Sequence, residues 1–147
     1  SALGQEYDYF VGYGGEWGGF SVDLSLWNYN YSNTGLRDDT TGELSEIILS
    51  IGFAGVSFSY YDNIAGATGY EYYTLGYSYD KFGVTVGYHD PQDPSGAPDT
   101  DMTHVDFSYA YNDNVSFTAS KVVDEGTDGL YDDDLIFQVT YSLPIEM

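Results

Sequence analysis

The chain has no cysteine, four prolines, and three lysines and arginines against 24 aspartates and glutamates. Without cysteine, neither a disulfide scaffold nor a thiolate metal site can exist. The positive residues are Arg37, Lys81 and Lys121, and the net charge is −21. A field of that sign repels nucleic acid and anionic headgroups, which excludes both as partners. No stretch approaches the roughly 18 to 20 apolar residues of a transmembrane helix, and no segment shows a helical period. The histidines are His89 and His104, in no metal-ligand spacing, and no nucleophile elbow is present. The glycine-rich "GYGGEWGG" precedes no helix, so it is not a phosphate loop. An enzyme is not the expectation.

What is abundant is tyrosine, 17 residues beside 8 phenylalanines, and glycine, 18 residues. Tyrosine has an apolar ring and a wet tip, and suits a boundary between an apolar phase and water. Glycine suits tightly turned β-structure. The 147 residues are enough for one domain, residues 1–147.

Alternation supplies the fold. In "GYEYYTLGYSYDKFGVTVGYHD" the apolar residues Tyr73, Leu75, Tyr77 and Tyr79 alternate with Thr74, Gly76 and Ser78. After a turn, Phe82, Val84, Val86 and Tyr88 alternate with Gly83, Thr85 and Gly87. This is a β-hairpin with one apolar face and one small or polar face. The same period predicts nine strands, at about 5–13, 19–31, 43–53, 55–62, 70–80, 82–89, 102–111, 114–122 and 133–143. Connections alternate in length. Short turns are predicted at 14–18, 53–55, 80–82 and 112–114, and long polar loops at 32–42, 63–69, 90–101 and 123–132. An antiparallel up-and-down meander with short turns at one end and long loops at the other is the layout of an outer-membrane β-barrel. Nine strands is an odd number, whereas bacterial barrels usually have an even one. The expectation is the C-terminal part of a larger even-stranded barrel, with an eight-stranded barrel plus one irregular segment as the alternative.

Several stretches carry a resemblance. "YDYFVGYGGEWGGFSVDLSLWNYNY", "LSEIILSIGFAGVSFSYYDN", "DMTHVDFSYAYNDNVSFTASKVVD", the hairpin quoted above and the closing "VTYSLPI" resemble the TorF-type porins of proteobacteria. The resemblance runs over nearly the whole chain. It implies an outer-membrane β-barrel of a Gram-negative bacterium and a channel, but no particular solute. Family members also carry a signal peptide and further N-terminal strands, in keeping with the odd count. The ending departs from the common barrel pattern: Pro144, Ile145, Glu146 and Met147 follow the last strand where a terminal Phe is usual.

If the apolar faces meet outer-membrane lipid, the other faces line a lumen. Its expected lining includes Asp8, Asp23, Glu46, His104 and Asp106 among many serines and threonines. A ring of carboxylates prefers cations. Two outcomes stay open, a cation-leaning pore and a barrel plugged by its own polar residues. Trp17, Tyr29, Tyr31, Tyr60, Tyr79, Tyr88 and Tyr111 lie near strand ends and read as aromatic girdles at the membrane interfaces. Stacking of carbohydrate on the loop-side tyrosines is the competing reading. The run "DEGTDGLYDDD" offers Asp124, Asp128, Asp132 and Asp134 as weak ligands for Ca2+ or Mg2+, without EF-hand spacing. The main alternative to a channel is a surface β-protein that assembles with copies of itself or with a partner subunit through exposed strand edges.

Overall fold

The computed structural model describes residues 5–32, 44–66, 69–93 and 95–142; for residues 5, 6, 31 and 32 this means the backbone alone. Nine strands form one antiparallel sheet in chain order: β1 (Gln5–Trp17), β2 (Phe20–Ser32), β3 (Leu44–Phe53), β4 (Val56–Ala65), β5 (Glu71–Tyr79), β6 (Phe82–Asp90), β7 (Met102–Asn112), β8 (Val115–Glu125) and β9 (Ile136–Tyr141). The described residues contain no helix. Each strand contacts only its sequence neighbours, so the sheet is open, with β1 and β9 as its edges.

The predicted strands are all present; β1, β4, β6, β7 and β8 are longer than alternation suggested, and β9, expected over 133–143, is shorter. β1 runs through Gly14 and Gly15 to Trp17, because the turn is the pair Gly18–Gly19. Both residues have positive φ, as do Ala54 and Gly55 in the second turn, the geometry that two-residue hairpins favour. Asp80–Lys81 makes the third turn. In the fourth, the Asn112 side-chain oxygen accepts from the Asn114 and Val115 amides, both at 2.9 Å. β4 and β8 extend to Ala65 and Glu125, giving strands of 10 and 11 residues. Apart from β9, the strands have 9 to 13 residues, against the 9 to 11 that a tilted strand needs to cross a bilayer.

The register is staggered in one direction. Val56, the first residue of β4, pairs with Tyr77 and not with the strand-end Tyr79. Phe82, the first of β6, pairs with Tyr109 and not with Asn112. The first two turns are level, Phe20 pairing with Phe53, and from the second turn to the fourth the turns step along the sheet, as strands tilted in a barrel wall do.

Among the described residues no hydrophobic side chain is buried. A two-layer domain would hide one face of this sheet against another element. Here no described residue covers the apolar face.

Candidate functional site

Strand pairing assigns each side chain to a face. The apolar face carries Trp17, Phe20, Leu24 and Leu26, then Ile51 and Phe53, then Leu75, Tyr77, Tyr79, Phe82, Val84 and Val86, then Phe107, Phe117 and Val139. At its turn end the rings pack on one another: Phe20 stacks on Phe53 at 4.2 Å, and Phe82 lies 5.1 Å from Tyr109. At its loop end Tyr60, Tyr73 and Tyr88 form a cross-strand row, and the next row outward is Asp62, Glu71 and Asp90. The tyrosine hydroxyls end on acids: Tyr60 donates to Glu71 (3.1 Å), Tyr73 also donates to Glu71, and Tyr88 donates to Asp101 (2.5 Å). Apolar surface thus gives way to carboxylate within one row. Lys121 lies on this face too, near the loop end of β8, and its ammonium reaches Asp133 at 3.9 Å. A long aliphatic stem allows that charge to reach water from an apolar surface.

Of the expected girdle residues, Trp17, Tyr60, Tyr79 and Tyr88 are on the apolar face, while Tyr111 is exposed at the register shift between Ala110 and Asn112. Tyr29 is not on the apolar face. It pairs with Asp8 on the opposite face and donates to Glu46 at 3.0 Å. The side chain of Tyr31 lies outside the described residues.

All five expected lumen residues, Asp8, Asp23, Glu46, His104 and Asp106, lie on the opposite face, His104 and Asp106 in contact and the others spread over β1 to β3. Around them are Ser21, Ser25, Ser50, Ser57, Ser59, Thr74, Thr85, Ser108 and Thr118, with Ser50 and Ser59 hydroxyls 3.0 Å apart. Six strand glycines, Gly12, Gly14, Gly52, Gly76, Gly83 and Gly87, also point this way. Gly87 shows why. A methyl group there would overlap the His104 ring and come within 2.7 Å of the Tyr72 hydroxyl.

That gap accommodates a cluster that sequence reading missed. His104 Nδ1 donates to Asp106 Oδ1 (3.2 Å), which leaves Nε2 to accept from the Tyr72 hydroxyl (2.9 Å). The Tyr72 ring stacks on His89 at 4.1 Å, and His89 Nδ1 is hydrogen-bonded to the Tyr70 hydroxyl. Tyr70 lies just before β5. Burial, then the neighbouring Tyr72, Glu46 and Tyr131, push its hydroxyl pKa up to about 12, so it stays protonated at neutral pH. The cluster is two hydrogen-bonded segments, Tyr70–His89 and Tyr72–His104–Asp106, joined by the stack of His89 on Tyr72.

A second aromatic group lies on β1 and β2, where Phe10 stacks on Trp27 at 4.5 Å and Trp27 lies 6.3 Å from Tyr29. The sequence signal for these groups is the parity of Phe10, Trp27 and Tyr72 within their strands.

The long loops are cross-tied. Tyr131 donates to the Thr100 carbonyl (2.6 Å), and Glu125 accepts from the Gly129, Leu130 and Tyr131 amides. Asp132 and Asp134 gather with Asp133, and a second group is Asp93, Asp99 and Asp101; Asp124 and Asp128 belong to neither. Asp93 is engaged by the Thr100 amide and hydroxyl.

Compared with protein-family models, with curated proteins and with solved structures, the chain finds no match. The geometry of the two faces is therefore what a functional reading has to stand on.

Proposed function

We propose that this chain forms the wall of a bacterial outer-membrane β-barrel channel of the TorF-type porin kind, which passes small cations along its polar face. The observation that carries the proposal is a single-layer, staggered, up-and-down sheet with no buried apolar side chain among the described residues and an apolar face ending in aromatic rows. An apolar phase covering that face stabilises each large side chain by about 1.5–3 kcal/mol. Lipid supplies such a phase, and the Tyr60–Tyr73–Tyr88 row with its carboxylate border fits a membrane–water boundary. Large residues on one face and glycine or hydroxyl residues on the other suit a wall whose small side is concave.

The same face supports the preference for cations. Among the described residues it holds Asp8, Glu16, Asp23, Glu46 and Asp106 but no lysine or arginine. Reversal potentials in planar bilayers under a KCl gradient test this. Cation selectivity is expected, reduced by the double change Asp23→Asn and Asp106→Asn. Selectivity for anions, or selectivity untouched by the double change, would contradict it.

The free edges of β1 and β9 favour a second reading, a surface β-protein completed by copies of itself or by a partner subunit. β1 and β9 run in the same direction, so an odd number of added strands is needed to keep a closed sheet antiparallel throughout. Outer-membrane lipid is the partner that the aromatic borders favour, and the acidic loops offer Ca2+ or Mg2+ two groups of three carboxylates, the half-buried to exposed Asp93, Asp99 and Asp101 and the exposed Asp132, Asp133 and Asp134.

A further inference from the structure

Phe10 and Trp27 break the rule of their face. Most positions of this face are small or polar, Leu44 and Ile48 of β3 and Tyr61 of β4 being other exceptions, yet Phe10 is 66 % exposed and lies directly opposite Trp27. Side chains that break a local pattern without gaining burial are where function is expected.

The surroundings are built. The Phe10 and Trp27 rings lie 15° from parallel, and the Trp27 indole N–H donates to the Ser25 hydroxyl at 3.0 Å, which fixes the ring. Tyr29 continues the row at 18° to Trp27. Glu46 is the β3 residue directly opposite Trp27, and Asp8 is the β1 residue directly opposite Tyr29. The Tyr29 hydroxyl donates to Glu46, which holds the carboxylate beside the rings. Three aromatic rings and two carboxylates therefore occupy adjoining positions of three strands.

We propose that Asp8, Phe10, Trp27, Tyr29 and Glu46 form a binding station for small organic cations, ammonium groups that carry apolar substituents. It rests on the reading of this face as a channel wall and names the class of solute. Charge complementarity selects the occupant. Anions meet two carboxylates and, among the described residues, no lysine or arginine on the face. A hydrated metal ion has no use for the rings, and a neutral solute has none for the carboxylates. An alkylammonium group uses both, because ring faces attract a cation within about 6 Å and do so more strongly when it is partly desolvated.

The test is calorimetric titration of the folded protein in detergent micelles with choline and with 3,3-dimethylbutan-1-ol, which has the same shape without the charge. Saturable binding of choline, at least tenfold tighter than the alcohol, is expected. Phe10→Leu keeps apolar bulk and removes the ring face; Glu46→Gln keeps shape and removes charge. Each should weaken choline by about 2- to 30-fold, the range of a single cation–ring or charge contact. No saturable heat with choline, equal affinity for the alcohol, or variants that bind as the parent does would overturn the station. Binding needs no bilayer, so it is separable from transport. Conductance without choline binding would remove the station and leave the channel, whereas binding without conductance would keep the station and remove the channel.

Discussion

Val86 and Thr85 are adjacent in β6 and face opposite ways, so one pair of substitutions reads the environment of both faces. Val86 is the central residue of the nine-residue strand, directly opposite Leu75 and Val105 on the apolar face. Thr85 lies opposite Gly76 and Asp106 on the polar face. In a bilayer, a lysine at position 86 enters hydrocarbon near the midplane, at a cost of about 2–4 kcal/mol. That corresponds to roughly a 30- to 1,000-fold loss in the folding equilibrium. A lysine at position 85 meets the Asp106 carboxylate in a wet lumen, where an exposed pair is worth about 0–1 kcal/mol. The assay is urea-dependent folding into lipid vesicles, followed by the shift in gel migration of unboiled samples. Val86→Lys should lower the folding midpoint sharply, while Thr85→Lys leaves it near that of the parent. Equal effects of the two lysines would refute the assignment of the apolar face to lipid. A larger effect at Thr85 would reverse the faces altogether.

Two further substitutions probe the sheet itself. Gly87→Ala pushes a methyl group into the His104 ring and should destabilise by about 1–3 kcal/mol in urea titration. Adding His104→Ala should return most of that loss, and a strictly additive double variant would show that the two sites are not coupled. Gly55→Ala meets both a φ of +84° and the Ser78 carbonyl at 2.5 Å from the new methyl. A loss of about 1–3 kcal/mol is expected, and an unchanged midpoint would argue against this turn geometry.

The strands were legible because a half-covered sheet writes its faces into the chain at period 2, and β5 and β6 match the reading almost residue for residue. Turn chemistry was partly legible. The run Gly14–Gly19 holds four glycines, and composition alone did not show that Gly14 and Gly15 pair within β1 while Gly18–Gly19 turns. The carboxylates of the polar face were found by parity. Height along the strand alone groups Tyr29 with Tyr60 and Tyr88, although Tyr29 faces the other way. The cluster of His89 with His104 needed more than parity. Those residues are 15 positions apart across a long loop, and only the pairing of Gly87 with His104 and of His89 with Met102 brings the rings to 5.4 Å. Register of that kind depends on loop length and stagger, which a single strand's pattern does not encode.

The most direct measurement of the central claim is gel migration of the native protein from a membrane fraction, boiled and unboiled. A closed barrel with its apolar face in lipid should resist detergent and migrate at a different apparent size until heated. A single band at one position in both samples, with the protein recovered outside the membrane, would contradict it and show that protein covers the apolar face.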